Sequence, residues 1–504
     1  MMKNTKIRIK IELVETDESI QNDPLKGCDG SFSMVVDESK AISIDQIEKS
    51  VLTTNWPAIR DAIAQHLAEI SKKKTQESGH EGQLVENKKF YRVDGEIGRF
   101  EFITHSIVNK TGVLFNSGRD FFCQLGPKEY YKTVGFKELA LIYGSIVNSY
   151  QAATNFINRC RYQIQDGTPQ RTLQHNAEKE GTKIINHVVS KTNNILLNSG
   201  FTGEGKFLGN NNLHVDDTPI TIADEEIMES AKAMARDYDV DEILNNPVLY
   251  EEPKEAVQIS IDDVVVKKQN ETREQSKCKE GETKRKKLQD TIAHIKKDGK
   301  CYSLAGHNTA QVLNFIIAFI LHNQLEGNRV QFFTDGHKAL NDAIFKKFSW
   351  YKNMGIILDW YHLVKKCKEL LSMGLNGRDL RNQTLREIMP FLWYGLTDKA
   401  INHLTDVPAK DVKNQEKFDK LISYLEKNKT VIPCYAIRKR LGLCNSSAIG
   451  EKMNDLIVSK RQKHNGMSWS KNGSIAIASI TAVNRNKESK KWFEESELEF
   501  KLAA

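Results

Sequence analysis

Asp335 closes the apolar run Val330-Gln-Phe-Phe-Thr, and Asp359 closes the run Gly355-Ile-Ile-Leu. Each falls where a strand would end and a helix begin, the edge of an open α/β sheet at which ligands and catalytic groups collect. Two more acids are placed to work with Asp335: Asp262 inside the strand-like segment 257–266, and Glu451 near the start of a helical segment over 446–458. Carboxylates from a central strand, a neighbouring strand end and a helix can together hold two divalent ions, Mg2+ or Mn2+, roughly 3.5–4 Å apart. Such a pair activates the attacking oxygen and stabilises the leaving one in phosphodiester cleavage and strand transfer.

Each acid also has a plainer reading. Asp262 is favoured as the first ligand because, on strand alternation, it shares a face with Ser260 and Val264 and follows Ile261. Asp263 stays the alternative, otherwise a solvated neighbour. Asp359 would make a good N-cap for the helix that follows. Glu451 would be favoured in a first turn by the helix dipole, with Asp455 one turn later as the fallback ligand. His337 and His464 read as substrate contacts, since two-metal chemistry needs no general base.

The elements that must position these acids follow from periodicity. A strand over 257–266, a basic hairpin-like segment over 284–300 with an Asp298-Gly299 turn, and a strand from Cys301 come first. A strongly apolar helix over 308–323 leads to the strand ending at Asp335, a helix over 338–348, the strand 355–358 and a helix over 360–371. Three strands, then helix, strand, helix, strand, helix is the order of a ribonuclease-H-like α/β core. The acids lie 73 and 116 residues apart. The wholly helical stretch 372–445, read as an insertion, accounts for the second gap, and 446–504 completes the core.

Upstream, residues 1–89 combine an alternating segment, Ile7–Leu13, with a helical pattern over 44–70 and a polar linker over 71–80, and suggest no chemistry. Residues 90–200 begin with a small β unit around an Asp94-Gly95 turn and continue into three helices, the third opening at Thr168-Pro with Thr168 as N-cap. Gln170, Arg171, Gln174 and His175 at that opening suit a helix-turn-helix reader of double-stranded DNA, or the polar outside of an ordinary three-helix unit. Residues 201–256, rich in Gly and Asn and then acidic, read as a connector.

Composition bounds the class. The net charge of +7 comes from 73 basic and 66 acidic residues, so distribution matters more than the sum. Between Thr430 and Lys471 there are eight basic residues against two acidic ones, a field suited to a polyanion or, more plainly, a solvated face. Lys460, Arg461, Lys463, His464 and Trp469 are the candidate DNA contacts there. None of the eight cysteines forms a CxxC pair, which argues against a zinc module or a disulfide framework. No apolar run reaches signal-peptide or membrane-spanning length, so a soluble intracellular protein without membrane association is expected.

Taken in order, Ile261-Asp-Asp, Thr334-Asp-Gly-His, Asp359-Trp-Tyr-His, Ala448-Ile-Gly-Glu and Arg461-Gln-Lys-His-Asn-Gly-Met-Ser-Trp469 resemble the motif series of mutator-like DDE transposases of bacterial insertion sequences. The resemblance covers about residues 90–485 and is strongest over 257–473. It implies a cytoplasmic, nucleoid-associated enzyme that binds its element's terminal inverted repeats, nicks with water and joins the freed 3′-hydroxyl to target DNA. It further implies Asp262, Asp335 and Glu451 as catalytic metal ligands and Asp359 with His362 as a substrate-positioning pair. Because two element ends must meet, a homodimer or larger assembly is expected on DNA. Two rivals remain: a nuclease of the same fold without strand transfer, and a domesticated DNA-binding protein with a vestigial core.

Overall fold

Alternation along Val257, Ile259 and Ile261 builds the centre of a mixed α/β sheet, strand β1 (Ala256–Lys267). The other strands are β2 (Lys287–Lys297), β3 (Lys300–Gly306), β4 (Arg329–Thr334) and β5 (Met354–Leu358). In this computed structural model, which describes residues 4–12, 29–37, 44–122, 130–163, 165–209, 220–269, 287–446 and 448–502, the sheet order is β3-β2-β1-β4-β5. β1, β2 and β3 pair antiparallel, while β4 runs parallel to both β1 and β5. Asp298 and Gly299 join β2 to β3 with φ of 49° and 76°, the left-handed pair that matches a hairpin's twist. β4 is buried at every position, as a strand covered on both faces must be.

Helix α1 (Thr309–His322) is started by Asn308, whose side chain accepts from the Gln311 N–H. Its Val312, Phe315, Ile316 and Phe319 join Val257, Ile259, Ile261, Ala293 and Ile295 in one core. α2 (Lys338–Lys347) and α3 (Trp360–Gly374) follow β4 and β5. Asp262 and Asp263 are neighbours within a continuous β1, paired with Ile292 and Thr291 of β2.

Residues 375–445 are helical, as α4 (Arg378–Trp393), α5 (Thr397–Thr405), α6 (Gln415–Asn428) and α7 (Tyr435–Arg440). The chain returns to the sheet in α8 (Ala448–Asn454), a π-helical turn (Asp455–Ser459) and a short α turn (Lys460–Gln462). It ends in α9 (Lys471–Arg485) and α10 (Ser489–Glu495). The segment read as a connector is well packed where it is described. Ile222, Ala231, Ala235, Ile243 and Tyr250 form a second core with Tyr394, Leu396, Cys434 and Ile437 of the helical stretch. Its acidic residues had masked an apolar stripe.

All of this belongs to one of two units, residues 177–504; residues 1–176 form the other. There a helix over Ile44–Gln76 runs through the expected linker, since Ser71 and Thr75 are buried and the Ser71 hydroxyl bonds His105 and Ser117. The expected Asp94-Gly95 turn is instead the end of strand Tyr91–Gly95, and the turn lies at Glu96-Ile97. Asp94 is buried and receives Arg99 at 3.0 Å, Arg161 at 2.7 Å and the Thr168 hydroxyl at 2.9 Å. Thr168 is thereby drawn inward just ahead of the helix Gln170–Asn198, its hydroxyl also accepting from Arg161 at 2.7 Å. Helices Val134–Ile146 and Tyr150–Cys160 precede that one.

Candidate active site

Register alone brings two of the acids together. β4 pairs with β1 through Phe332 opposite Ile259 and Phe333 opposite Ser260, and two further steps set Asp335 alongside Asp262. A small pocket there is lined by Ser260, Asp262, Thr334, Asp335, His362, Glu451 and Asn454. Asp262, Asp335 and Glu451, drawn from β1, the end of β4 and α8, thus share one pocket with His362 of α3.

Asp262 is the β1 acid that lines the pocket with Asp335. Its carboxylate accepts from the Asp263 N–H at 2.8 Å and from Asn454 Nδ2 at 3.2 Å. Burial, and then the facing Asp335 carboxylate, push its pKa up to about 6. Asp263 faces the other side of β1, where Gln289 reaches it at 2.6 Å and the Thr291 hydroxyl bonds it closely. The two acids thus have different neighbours. Two facing carboxylates form an oxygen donor set suited to a hard divalent cation.

Asp335 sits on a turn that α6 holds in place. Tyr424 Oη donates to the Asp335 carbonyl at 3.0 Å, and Asn428 Nδ2 donates to the Gly336 carbonyl at 3.2 Å. Gly336 has φ +78°, and a Cβ there would come within 2.8 Å of Leu358 and 2.9 Å of the Tyr424 hydroxyl. Both backbone conformation and space therefore demand glycine.

Glu451 is turned towards His362, with Oε1 2.9 Å from Nε2. Consistent with this, among the described residues no three His, Cys, Asp or Glu side chains close round a common metal position. Asn454, three residues after Glu451 on the same helical face, is what reaches Asp262. The fallback acid, Asp455, is half exposed and pairs with His464 at 3.4 Å.

Asp359 is a buried cap of α3. It is 0% exposed, and its Oδ1 accepts from the Tyr361 and His362 N–H groups at 2.8 and 3.2 Å, with Ser446 Oγ 3.2 Å from Oδ2. It can act on a ligand only through the start of α3, which carries His362. Arg461 and Trp469 are also placed inside the fold. Both are buried, the Arg461 guanidinium 5.0 Å over the Trp469 ring, while Trp469 ties its backbone to Lys267 at the end of β1. Lys460, Lys463 and His464 are exposed, as are Gln170, Arg171 and His175 in the other unit, with Gln174 half-buried.

Sequence reasoning missed Asn454, Tyr424 and Asn428. The three-residue spacing from Glu451 could have flagged the first; nothing local marks the other two.

A comparison with known protein families and with curated proteins finds no match. Among solved structures, the chain is similar to the Drosophila P element transposase strand transfer complex at 11% identity, with a TM-score of 0.23 over 76% of this chain and 85% of that one. At that score the case rests on the chain's own residues. Among the described residues no helix is long and apolar enough to cross a membrane.

Proposed function

We propose that this chain is a metal-dependent DNA-cleaving and strand-joining enzyme, a DDE transposase with a ribonuclease-H-like core. The observation that carries the reading is the shared pocket of Asp262, Asp335 and Glu451, from the central strand, its parallel neighbour's end and the helix that follows the helical insertion. The β3-β2-β1-β4-β5 order, with its antiparallel and parallel halves, supports the fold assignment.

Asp262 and Asp335 would hold a pair of Mg2+ or Mn2+ ions, joined by Glu451 on release from His362; so held, the ions supply activation of the attacking oxygen and charge stabilisation at the leaving one. Asn454 fixes the Asp262 carboxylate. Tyr424 and Asn428 fix the turn that presents Asp335. Once Glu451 leaves it, His362 is free to donate to a phosphate oxygen. Gln170, Arg171, Gln174 and His175 in one unit and Lys460, Lys463 and His464 in the other supply DNA contacts, in an assembly that brings two element ends together.

With Mg2+ or Mn2+ and DNA carrying its own element's ends, the purified protein is expected to release nicked and joined products. Asp335→Asn and Asp262→Asn each abolish both. Activity persisting in Asp335→Asn overturns the assignment, and cleavage indifferent to end sequence would make the protein a nuclease instead.

A further inference from the structure

A second concavity lies in the same unit, an open cleft of about 830 Å³ between α4, α7 and the segment before β1. Its size is that of a small-molecule site. Trp360 and Trp393 line it, half-buried, with ring centroids 4.8 Å apart in an edge-to-face arrangement. Arg236, Arg386, Lys439 and Arg440 line it too, all exposed. Among the described residues none of these four side chains has a hydrogen bond or ion pair. The acid beside Arg386, Glu387, is held elsewhere by Gln383 at 3.1 Å and His403 at 3.0 Å. Arg236 has φ 51°, an unfavourable conformation for a side-chain-bearing residue.

Scattered cations usually mark a solvated face. Here four, none of them in a hydrogen bond or ion pair among the described residues, line one concave surface with two indoles. Aromatic faces stack on bases of any identity, and the surrounding cations pair with phosphate. Trp360 also opens α3, two residues before His362. At about 100° per residue, the two side chains leave opposite sides of the helix's first turn, so one strand crossing that turn could reach both the acidic pocket and this cleft.

We infer that the Trp360–Trp393 cleft is a nucleotide site, taking an unstacked base with its phosphate from the DNA strand that enters the acidic pocket. The source of the nucleotide rests on the proposed function; the site's chemistry does not.

The test uses the full chain and a short fluorescently labelled oligothymidylate, followed by anisotropy in parallel with DNA cleavage. Arg386→Ala/Arg440→Ala, on exposed side chains, is expected to weaken oligothymidylate binding at least about fivefold and to lower its salt dependence. Trp393→Leu should weaken it by a similar factor, and Trp393→Phe should restore much of it, with circular dichroism confirming the fold. Stronger binding of the oligomer than of free thymidine monophosphate assigns the site to a strand; equal binding supports the site as one for a free nucleotide. Binding unaffected in both the arginine and the tryptophan variants overturns the proposal. Arginine-dependent binding without any cleavage would strike the catalytic reading alone, whereas cleavage with arginine-independent binding would strike this one alone.

Discussion

Gly336 concentrates the demands on the site in one residue. Its φ of +78° would cost an alanine about 1–2 kcal/mol in backbone strain alone, and the added Cβ would press on the Tyr424 hydroxyl, which holds the Asp335 carbonyl. Gly336→Ala should therefore lower urea-unfolding stability by at least that amount and reduce cleavage further than the stability loss explains. Tyr424→Phe, which removes one hydrogen bond worth about 1 kcal/mol, should reduce cleavage more mildly. Because both changes act on one turn, their combined effect should fall short of additive; strict additivity in a double-mutant cycle would show that the turn is not their shared target. Residue types made Asp335 and Gly336 visible beforehand, because an apolar run ending in Asp-Gly says strand then turn. Tyr424 and Asn428 were not visible, since their tie to that turn is made across 89 and 92 residues. Arg461 and Trp469 mislead for a related reason: stacking on each other hides two residue types otherwise favoured at DNA surfaces.

Among the elements, β2 carries two buried groups with opposite pH demands. Burial lowers the His294 pKa to about 4, with nearby Lys296 adding to the effect. Its folded-state value thus lies below the ordinary 6.5, so the stability linked to neutral His294 is present above pH 6.5 and lost as pH falls towards 4. Burial raises Asp290 to about 6, against smaller lowering effects from Ser474 and Lys471. Its folded-state value lies above the unfolded 3.8, so its contribution is present below about pH 3.8 and lost as pH rises through 6. The Ser474 hydroxyl, which bonds Asp290, also lies 2.6 Å from Gln462 Oε1. Each shift corresponds to on the order of 3 kcal/mol. Relative to the parent, His294→Gln should gain stability as pH falls from 6.5 to 4, and Asp290→Asn should gain as pH rises across the same window. Parallel difference curves in urea titrations would refute the pairing. The order of strands and helices was readable from alternation and from Asp298-Gly299, because those signals are local. That 220–256 packs as a structural element was not, because its apolar residues are spaced among acids and their partners lie in the helical stretch 375–445.

For the large unit as a whole, the joint between the segment before β1, the helical stretch 375–445 and the sheet is a buried charge cluster. Arg438 of α7 meets both Glu251 oxygens at 2.6 Å, and each side chain is 0% exposed. Arg438 also donates to the Cys444 carbonyl at 2.8 Å, next to Asn445, whose carbonyl receives the Trp360 N–H at 3.0 Å. The pair therefore reaches the start of α3, and through it Asp359 and His362. Arg329, at the start of β4, is mostly buried and is lowered in pKa by that burial, against the opposing pull of Glu251. One carboxylate thus compensates two guanidiniums, and the two sides of the pair are not equivalent. Arg438→Met leaves Glu251 with Arg329 still near, whereas Glu251→Gln strands both arginines. Breaking a buried pair typically costs about 3–5 kcal/mol, and Glu251→Gln should lie at the upper end with Arg438→Met below it. Replacing both as Glu251→Leu/Arg438→Met should recover part of the loss, because no facing charge is left behind except Arg329. Urea unfolding of the three variants checks the ordering. A larger loss for Arg438→Met than for Glu251→Gln would mean that Arg329 does not draw on Glu251.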